Sequence, residues 1–400
     1  MILIIIKLEP GMPRHALVLV STVEPLLRDL AALTLGPEAP ALIQVDVLAC
    51  ATACDDPADN GAPAVRLQGE AGVLDVPMER ECWTCSVRET LLSVAAERAD
   101  GDGWSGGADD AGGSDDDGRE DTAAAVPEGT TVILLPPGLE LVHLVPALAT
   151  ALAEHVPGAR LAGVVHVIDA STAASTLLEH HPLSEVLAHL APGDERCSGE
   201  VHMNALGYAD LVLRLGEDPV GSDLIEHLRP HDTLLLPGLD SPVLAEALAV
   251  DHDAQAALAR VHPATTRAWG GPDDHGVRTL DLSSDLPFHP GRLRELVGDL
   301  AGRGLLARGC FWVPTRPGRV CAWEVAGGVV SVGDAGTWGQ AGDGTARSHL
   351  VVTGLADDAE CEAVSRAFSR ILLRSDELVE ALAWPRYPDG LEDWLGVAEA

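Results

Sequence analysis

This sequence predicts an α/β fold, a doubly wound parallel sheet followed by a smaller α+β domain. Three observations carry the prediction. Continuous apolar runs such as His15–Val20 (HALVLV), Thr130–Leu135 and Leu161–Asp169 (LAGVVHVID) read as strands buried on both faces, as in a parallel sheet. Helical patterns follow these runs at short range, so strand and helix alternate. Past about residue 275 the texture changes to short β runs, a Gly-Gly hairpin signal and a set of aromatics. The expected boundaries are 12–265 for the first domain and 276–400 for the second.

Composition narrows the function classes. A chain of 400 residues with 46% hydrophobic content has ample core for two or three domains. Net charge is −36, with 62 acidic residues against 26 basic ones, so direct nucleic-acid or anionic-membrane binding is not expected. Eight cysteines in so long a chain do not make a disulfide scaffold, which places the protein in a reducing cytoplasm. The run Met1–Ile6 is apolar, but Lys7, Glu9, Pro10 and Gly11 follow at once, too soon for a signal-peptide core or a membrane span. Met12 precedes a cleaner opening, so residues 1–11 read as an extension or a misassigned start. Lys7 is the only lysine in the chain.

Taken in order, His15–Val20 is the first strand, and Ser21-Thr22-Val23-Glu24-Pro25 starts a helix. Ser21 or Thr22 suits its cap and Pro25 its first turn, with Leu26, Leu27, Leu30 and Leu33 following. A second strand is expected over Ala41–Val47. The loop beyond holds Cys50, Cys54, Asp55 and Asp56; it reads as a mobile acidic loop, with a contribution to a metal site as the sharper alternative. Val73–Met78 is a short strand leading to Cys82-Trp83-Thr84-Cys85. Ser86 and Glu89 have capping-box spacing, and Val87, Leu91, Val94 and Ala95 share one helix face. Both cysteines then lie at a helix N-terminus, where the dipole favours the thiolate. Such a pair binds a soft metal, cycles through a disulfide, or is simply two small buried hydrophobes; zinc normally takes four ligands, and two are present here.

Asp100–Asp121 is Gly/Asp-rich and almost without apolar residues, so an acidic disordered insertion over about 100–125 is expected. EF-hand spacing is absent from it. Thr130–Leu135 resumes the sheet, and Pro136-Pro137-Gly138 turns into a helix over Glu140–Glu154. After the strand Leu161–Asp169, Ser171-Thr172 caps a helix ending near His180-His181-Pro182. One or two helices over 183–208, a strand at Ala209–Leu215, a helix at Leu224–Leu228, a strand at Thr233–Leu236 and a helix at Ser241–Arg260 complete this part. In the second part, strands are expected at Gly276–Leu282, Leu306–Val313, Val320–Val325, Val329–Val332 and His349–Thr353, and helices at Gly291–Leu300, Ala359–Leu372 and from Ser375 to about Ala383. Phe311, Trp312, Trp323, Trp338, Phe368, Trp384 and Trp394 read as its core.

Several of these motifs resemble the CobW-like family of nucleotide-dependent metal chaperones, over nearly the whole chain. Leu286–Leu296 (LPFHPGRLREL), Ala307–Gly328 (ARGCFWVPTRPGRVCAWEVAGG) and Ser348–Leu355 (SHLVVTGL) are similar to its C-terminal domain. Cys82 and Cys85 match the first and third thiols of the family's C-x-C-C motif, and Arg88 its arginine; Thr84 replaces the middle cysteine. The nucleotide motifs depart further. Where the family has G-x-x-G-x-G-K-T, whose backbone N–H groups and lysine hold phosphates, this chain has Val20–Pro25 with no glycine, no lysine and a carboxylate at Glu24. Leu215 and Gly216 replace the Asn-Lys of N-K-x-D, leaving Asp218, and Leu134–Leu139 replaces the switch segment without its acid. Ser21, Thr22 and Asp218 are thus the remaining degenerate nucleotide positions.

The resemblance implies a non-catalytic pseudo-GTPase adaptor, with zinc at Cys82 and Cys85 and with GTP and magnesium not expected. Within the family, the run Arg308–Pro317, the run Ala322–Gly328 and the short strand-to-helix turn are most similar to actinobacterial proteins that recruit a ribosome hibernation factor when zinc is scarce. A protein partner, the ribosome or such a factor, is therefore expected, met through protein contact or a local basic patch of Arg303, Arg308, Arg316 and Arg319. His143, His166, His202, Cys50 and Cys54 are candidates for further zinc ligands, although lone histidines on apolar runs are more often core residues. The alternatives are a GTP-dependent zinc or cobalt metallochaperone and a thiol–disulfide oxidoreductase with the first cysteine attacking.

Overall fold

The computed structural model describes residues 15–48, 63–80, 82–100, 126–187, 190, 193–341, 344–381, 383–384 and 388–396. Lys7, Cys50, Cys54 and the expected insertion, apart from Asp100 at its start, lie outside the described residues.

Strands β1 (His15–Ser21), β2 (Leu42–Leu48), β3 (Ala64–Gly69), β4 (Gly72–Pro77), β5 (Thr130–Leu134), β6 (Ala159–Asp169), β7 (Leu211–Leu215) and β8 (Leu234–Pro237) form one sheet in the order β4-β3-β2-β5-β1-β6-β7-β8. From β2 to β8 the pairings are parallel. Alternation along β1 decides the two layers. Leu17 and Leu19 pack with Ile133, Leu91 and Leu144, under the helices Trp83–Ala99 and Leu141–His155. Val18 and Val20 face the other way, towards Leu27, Ala31 and Leu244, from the helices Pro25–Leu35 and Val243–Ala249. Helices on both faces make the sheet doubly wound, as expected.

The β3–β4 hairpin is antiparallel and adds one strand beyond those predicted. Its turn pairs Gly69 with Gly72 across Glu70 and Ala71, which lack the Asn-Gly signature of a two-residue turn. Helix starts also move. Ser21 is held in β1 by pairing with His166, so neither it nor Thr22 caps the next helix; Glu24 is the N-cap, with Pro25 first in the helix. Cys82, not Ser86, caps the helix Trp83–Ala99, and Ser86 is buried within it. Asp169, not Ser171, caps the helix Ala170–Leu178. The span 241–260 is broken into Val243–Ala249 and Ala254–Val261, the second capped by Asp253.

The second sheet is antiparallel: β9 (Val277–Ser284), β10 (Leu305–Phe311), β11 (Arg319–Ala326), β12 (Val329–Thr337) and β13 (Ser348–Leu355), in the order β12-β11-β10-β13-β9. Helices Pro290–Ala301 and Asp358–Ile371 cover a core of Phe288, Phe311, Trp323 and Phe368. Phe288 stacks on Phe311 at 5.1 Å and meets Phe368 edge-on at 5.4 Å. Gly327 and Gly328 form the two-residue turn between β11 and β12, with φ of +53° and +74°. That is the φ > 0 pair a tight hairpin requires.

The two sheets share a core. Leu177, Met203, Leu206 and Leu228 from the first part pack with Val277, Leu306 and Ala326 from the second. The four arginines expected to form a basic patch do not share one exposed surface. Arg308 is buried and donates to the Leu228 carbonyl at 3.2 Å. Arg316 is buried against Asp389 at 3.0 Å, and Arg319 pairs with Asp334 at 2.6 Å. Arg308 points inward from β10 and Arg316 from the turn before β11, and both serve the fold. No helix among the described residues is long and apolar enough to cross a membrane.

Candidate functional site

Open α/β sheets bind ligands beyond the carboxyl ends of their strands, where the chain crosses from one side to the other. In this molecule a cleft of about 660 Å³ opens at that edge, beyond β2 and β5, with Trp83 and Thr84 of the CWTC turn and Pro136, Pro137, Glu140 and His143 in its wall. The Gly138 N–H donates to the Thr22 carbonyl at 2.9 Å, which ties the Pro-Pro-Gly loop to the β1 turn.

Several charges on the wall pair with one another, and Arg66 pairs with Asp75 beyond it. Arg28 donates to Asp46 at 2.6 Å. Arg196 binds Asp194 through Nε at 2.9 Å and Nη2 at 2.6 Å, and reaches Glu140 at 3.0 Å. His143 Nε2 lies 2.8 Å from Glu140 Oε2. Burial pushes the Glu140 carboxyl up, but the His143 hydrogen bond and the Arg196 guanidinium outweigh it and hold Glu140 below its ordinary value. The same hydrogen bond raises His143.

On the rim, Cys82 is exposed and Cys85 partly so. Cys82 has extended backbone as the helix N-cap, and its Sγ accepts the Cys85 N–H at 3.4 Å. The hydrogen bond from the Cys85 thiol lowers Cys82 and raises Cys85. Burial instead pushes Cys310 up to about 11 and Cys321 up to about 12, and raises Cys197. Two adjacent thiols, one of them held below its ordinary value, fit a thiophilic metal. Among the described residues no group of three or more His, Cys, Asp and Glu converges into a metal site, so the pair supplies two ligands. Of the candidate histidines, His143 shares the cleft with Trp83 and Thr84.

The other two histidines do something else. His166 Nε2 lies 3.0 Å from His202 Nδ1, and His202 Nε2 lies 3.2 Å from Glu24 Oε1. Both rings are fully buried. Burial raises the Glu24 carboxyl, yet the His202 imidazole offsets this and lowers it overall; burial drives His166 well below the ordinary histidine value. A carboxylate anchored to imidazole thus stands in the β1-to-helix turn. Ser21 and Thr22 are buried beside it, and the Thr22 hydroxyl has no partner among the described residues. Asp218 is spent on structure: its Oδ1 accepts the Gly221 N–H at 2.8 Å and caps the helix Pro219–Leu228. At Gly216 φ is +70°, and a Cβ would stand 2.3 Å from Asp169 Oδ1, so no side chain fits there.

Sequence reasoning found the thiols but missed the Glu24–His202–His166 chain and the Arg196–Glu140–His143 cluster. Glu24 and His202 are 178 positions apart; the pairing of Ser21 with His166 and the packing of the helix Ser198–Tyr208 bring the three together.

Residues 277–372, from β9 to the end of the helix Asp358–Ile371, match the family model described as the cobalamin synthesis protein cobW C-terminal domain. The second domain is thus a CobW C-terminal domain. The chain is 27% identical over 229 residues to "Zinc chaperone Rv0106" of Mycobacterium tuberculosis, and equally to "Uncharacterized protein Mb0109" of Mycobacterium bovis. Each match covers 50% of this chain and 56% of the relative, so the chain spans about half the length of the curated relatives it matches. Among solved structures, a Zn(II)-bound triple mutant of YjiA GTPase matches at 13% identity and a TM-score of 0.35, covering 90% of this chain and 100% of that one. Zn(II)-bound YjiA GTPase from E. coli matches at 12% identity and a TM-score of 0.32, covering 90% and 99%. Likenesses at that level carry no argument about the site.

Proposed function

We propose that this protein is a zinc-linked adaptor that does not turn over nucleotide. Cys82 and Cys85 hold zinc on the rim of the cleft, and the sheet behind them is a scaffold. The observation that carries the reading is Glu24, a carboxylate bound to His202 in the turn where a phosphate-binding loop would place backbone N–H groups. A phosphate there meets a negative charge, with no lysine or glycine in the turn to offset it. The zinc half is supported by the paired thiols and by the relative named a zinc chaperone. The protein partner, a ribosome or a hibernation factor recruited when zinc is scarce, comes from the resemblance of the C-terminal runs.

The test is equilibrium binding on the purified full chain. GTP with magnesium is expected to show no binding at micromolar concentration, and zinc is expected to bind and to be retained. Cys85→Ser should lower zinc affinity by about tenfold or more, because a metal–thiolate bond is lost. Micromolar GTP binding would overturn the adaptor reading in favour of a GTP-dependent metallochaperone, the second reading, which the named zinc chaperone also supports. Co-sedimentation with ribosomes at low and high zinc tests the partner.

A further inference from the structure

We propose that Cys82 and Cys85 form a dithiol–disulfide switch, with Cys82 as the attacking sulfur and Cys85 as the resolving one. The geometry is that of two thiols on a single turn. Cys82 caps a 17-residue helix, and its Sγ takes the Cys85 N–H at 3.4 Å. Cys82 is exposed and Cys85 partly so. Both sulfurs are open to a reagent, and whichever thiol reacts has the other on the same turn. No other described cysteines share a turn in this way. Cys197, Cys310 and Cys321 are buried, and Cys361 sits alone on the helix Asp358–Ile371.

The oxidant is a low-molecular-weight disulfide. The Cys82 sulfur attacks one of its sulfurs, the S–S bond breaks, and one small thiol leaves with a proton, giving a mixed disulfide on Cys82. The Cys85 sulfur then attacks the Cys82 sulfur, and the second small thiol leaves with the other proton. The chain loses two electrons and two protons, and one small disulfide becomes two thiols. The switch needs no metal, and so goes beyond the zinc reading. It also bears on that reading: zinc occupies the lone pairs both steps use, and the disulfide removes the thiolates zinc requires. Because Trp83 and Thr84 line the cleft between the two sulfurs, closing the bond reshapes its wall.

The experiment uses the full chain, reduced, freed of metal with a chelator and desalted, then exposed to oxidised glutathione and followed by intact mass and peptide mapping. The expected product is an internal Cys82–Cys85 disulfide with no glutathione retained. Cys85→Ser should stop at one glutathione on Cys82. Cys82→Ser should react at least about tenfold more slowly than wild type. Zinc-loaded wild type should be protected. Cys361→Ser serves as the control and should behave as wild type. The proposal is overturned if wild type takes up glutathione at Cys82 no faster than at Cys361, or if no internal disulfide forms. A protein that forms the disulfide but binds no zinc refutes the zinc reading alone, and one that binds zinc but forms no disulfide refutes this one alone. Circular dichroism of each variant confirms that the exposed turn tolerates serine.

Discussion

Glu24 places a carboxylate, bound to His202, in the turn after β1. In the turn after β1, a glycine would open backbone N–H groups to a phosphate; a carboxylate bound to His202 presents negative charge to the same place. A second carboxylate reports on the junction between the two sheets. Glu324 lies opposite Arg308 on neighbouring strands, but burial dominates, Glu200 and Glu140 add like charge, and together they push it up to about 7 despite the arginine. A carboxyl raised on folding favours the native state only where it stays protonated. Stability from this group is therefore present below the ordinary value near 4.5 and declines as pH rises towards 7. Glu324→Gln should leave stability unchanged at pH 4 and raise it by about 1–3 kcal/mol at pH 8, because the side chain keeps some contact with solvent. Urea unfolding of wild type and variant at the two pH values checks this. A gain of equal size at both would show that Glu324 is not raised.

At the scale of elements, the strands were legible because apolar runs and hairpin glycines are local signals, whereas helix starts were displaced. Ser21 and Ser86 both carry good capping side chains, yet β1 pairing claims the first, and the second falls inside a helix that Cys82 begins. Side-chain capping is worth about 1 kcal/mol, which strand pairing and burial outweigh. The Gly327-Gly328 turn is an element with two duties. It closes the β11–β12 hairpin, and it packs against the first part of the chain: a Cβ at Gly327 would lie 2.9 Å from Cys197 Sγ and 3.0 Å from the Glu179 carbonyl. Gly327→Ala therefore meets both a positive φ and a close neighbour, and should cost about 1–3 kcal/mol. Thermal unfolding should show a lowered Tm, with Gly328→Ala, where no atom lies within 4 Å, losing less.

Across the whole molecule, the fold rests on long-range closures between distant segments. Arg316 and Asp389 form a buried pair at 3.0 Å, extended by Thr315 Oγ1 to Asp389 at 2.7 Å and by Arg316 to the Leu395 carbonyl at 3.0 Å. Burial raises Asp389, but the hydrogen bonds from Arg316 and Thr315 outweigh it and lower the group overall. Its contribution is thus present above the ordinary aspartate range and lost as pH falls through the lowered value. Asp389→Asn leaves the guanidinium buried without its counter-charge and should destabilise by about 3–5 kcal/mol at pH 7, with the difference shrinking in acid. Chemical denaturation over that range measures it. A cost that stays constant into acid would count against an ionised Asp389. The same closures explain why the expected basic patch is not a surface: Arg308 and Arg316 bind carbonyls and a carboxylate inside the fold.

By itself the sequence determined the class of the fold, the order of its main elements, the CobW-like C-terminal runs and the spacing of the two thiols in the CWTC turn. Each depends on residues close together in the chain: the period of apolar positions, a pair of glycines, two thiols three apart. Tertiary structure alone decided that Glu24, His202 and His166 form one chain, that Glu140 is held between His143 and Arg196, and that Asp218 and Arg308 serve the fold. The physical reason is strand order. β1 lies between β5 and β6, so residues from four distant stretches converge at the carboxyl edge of the sheet, and no local pattern encodes which of them will meet.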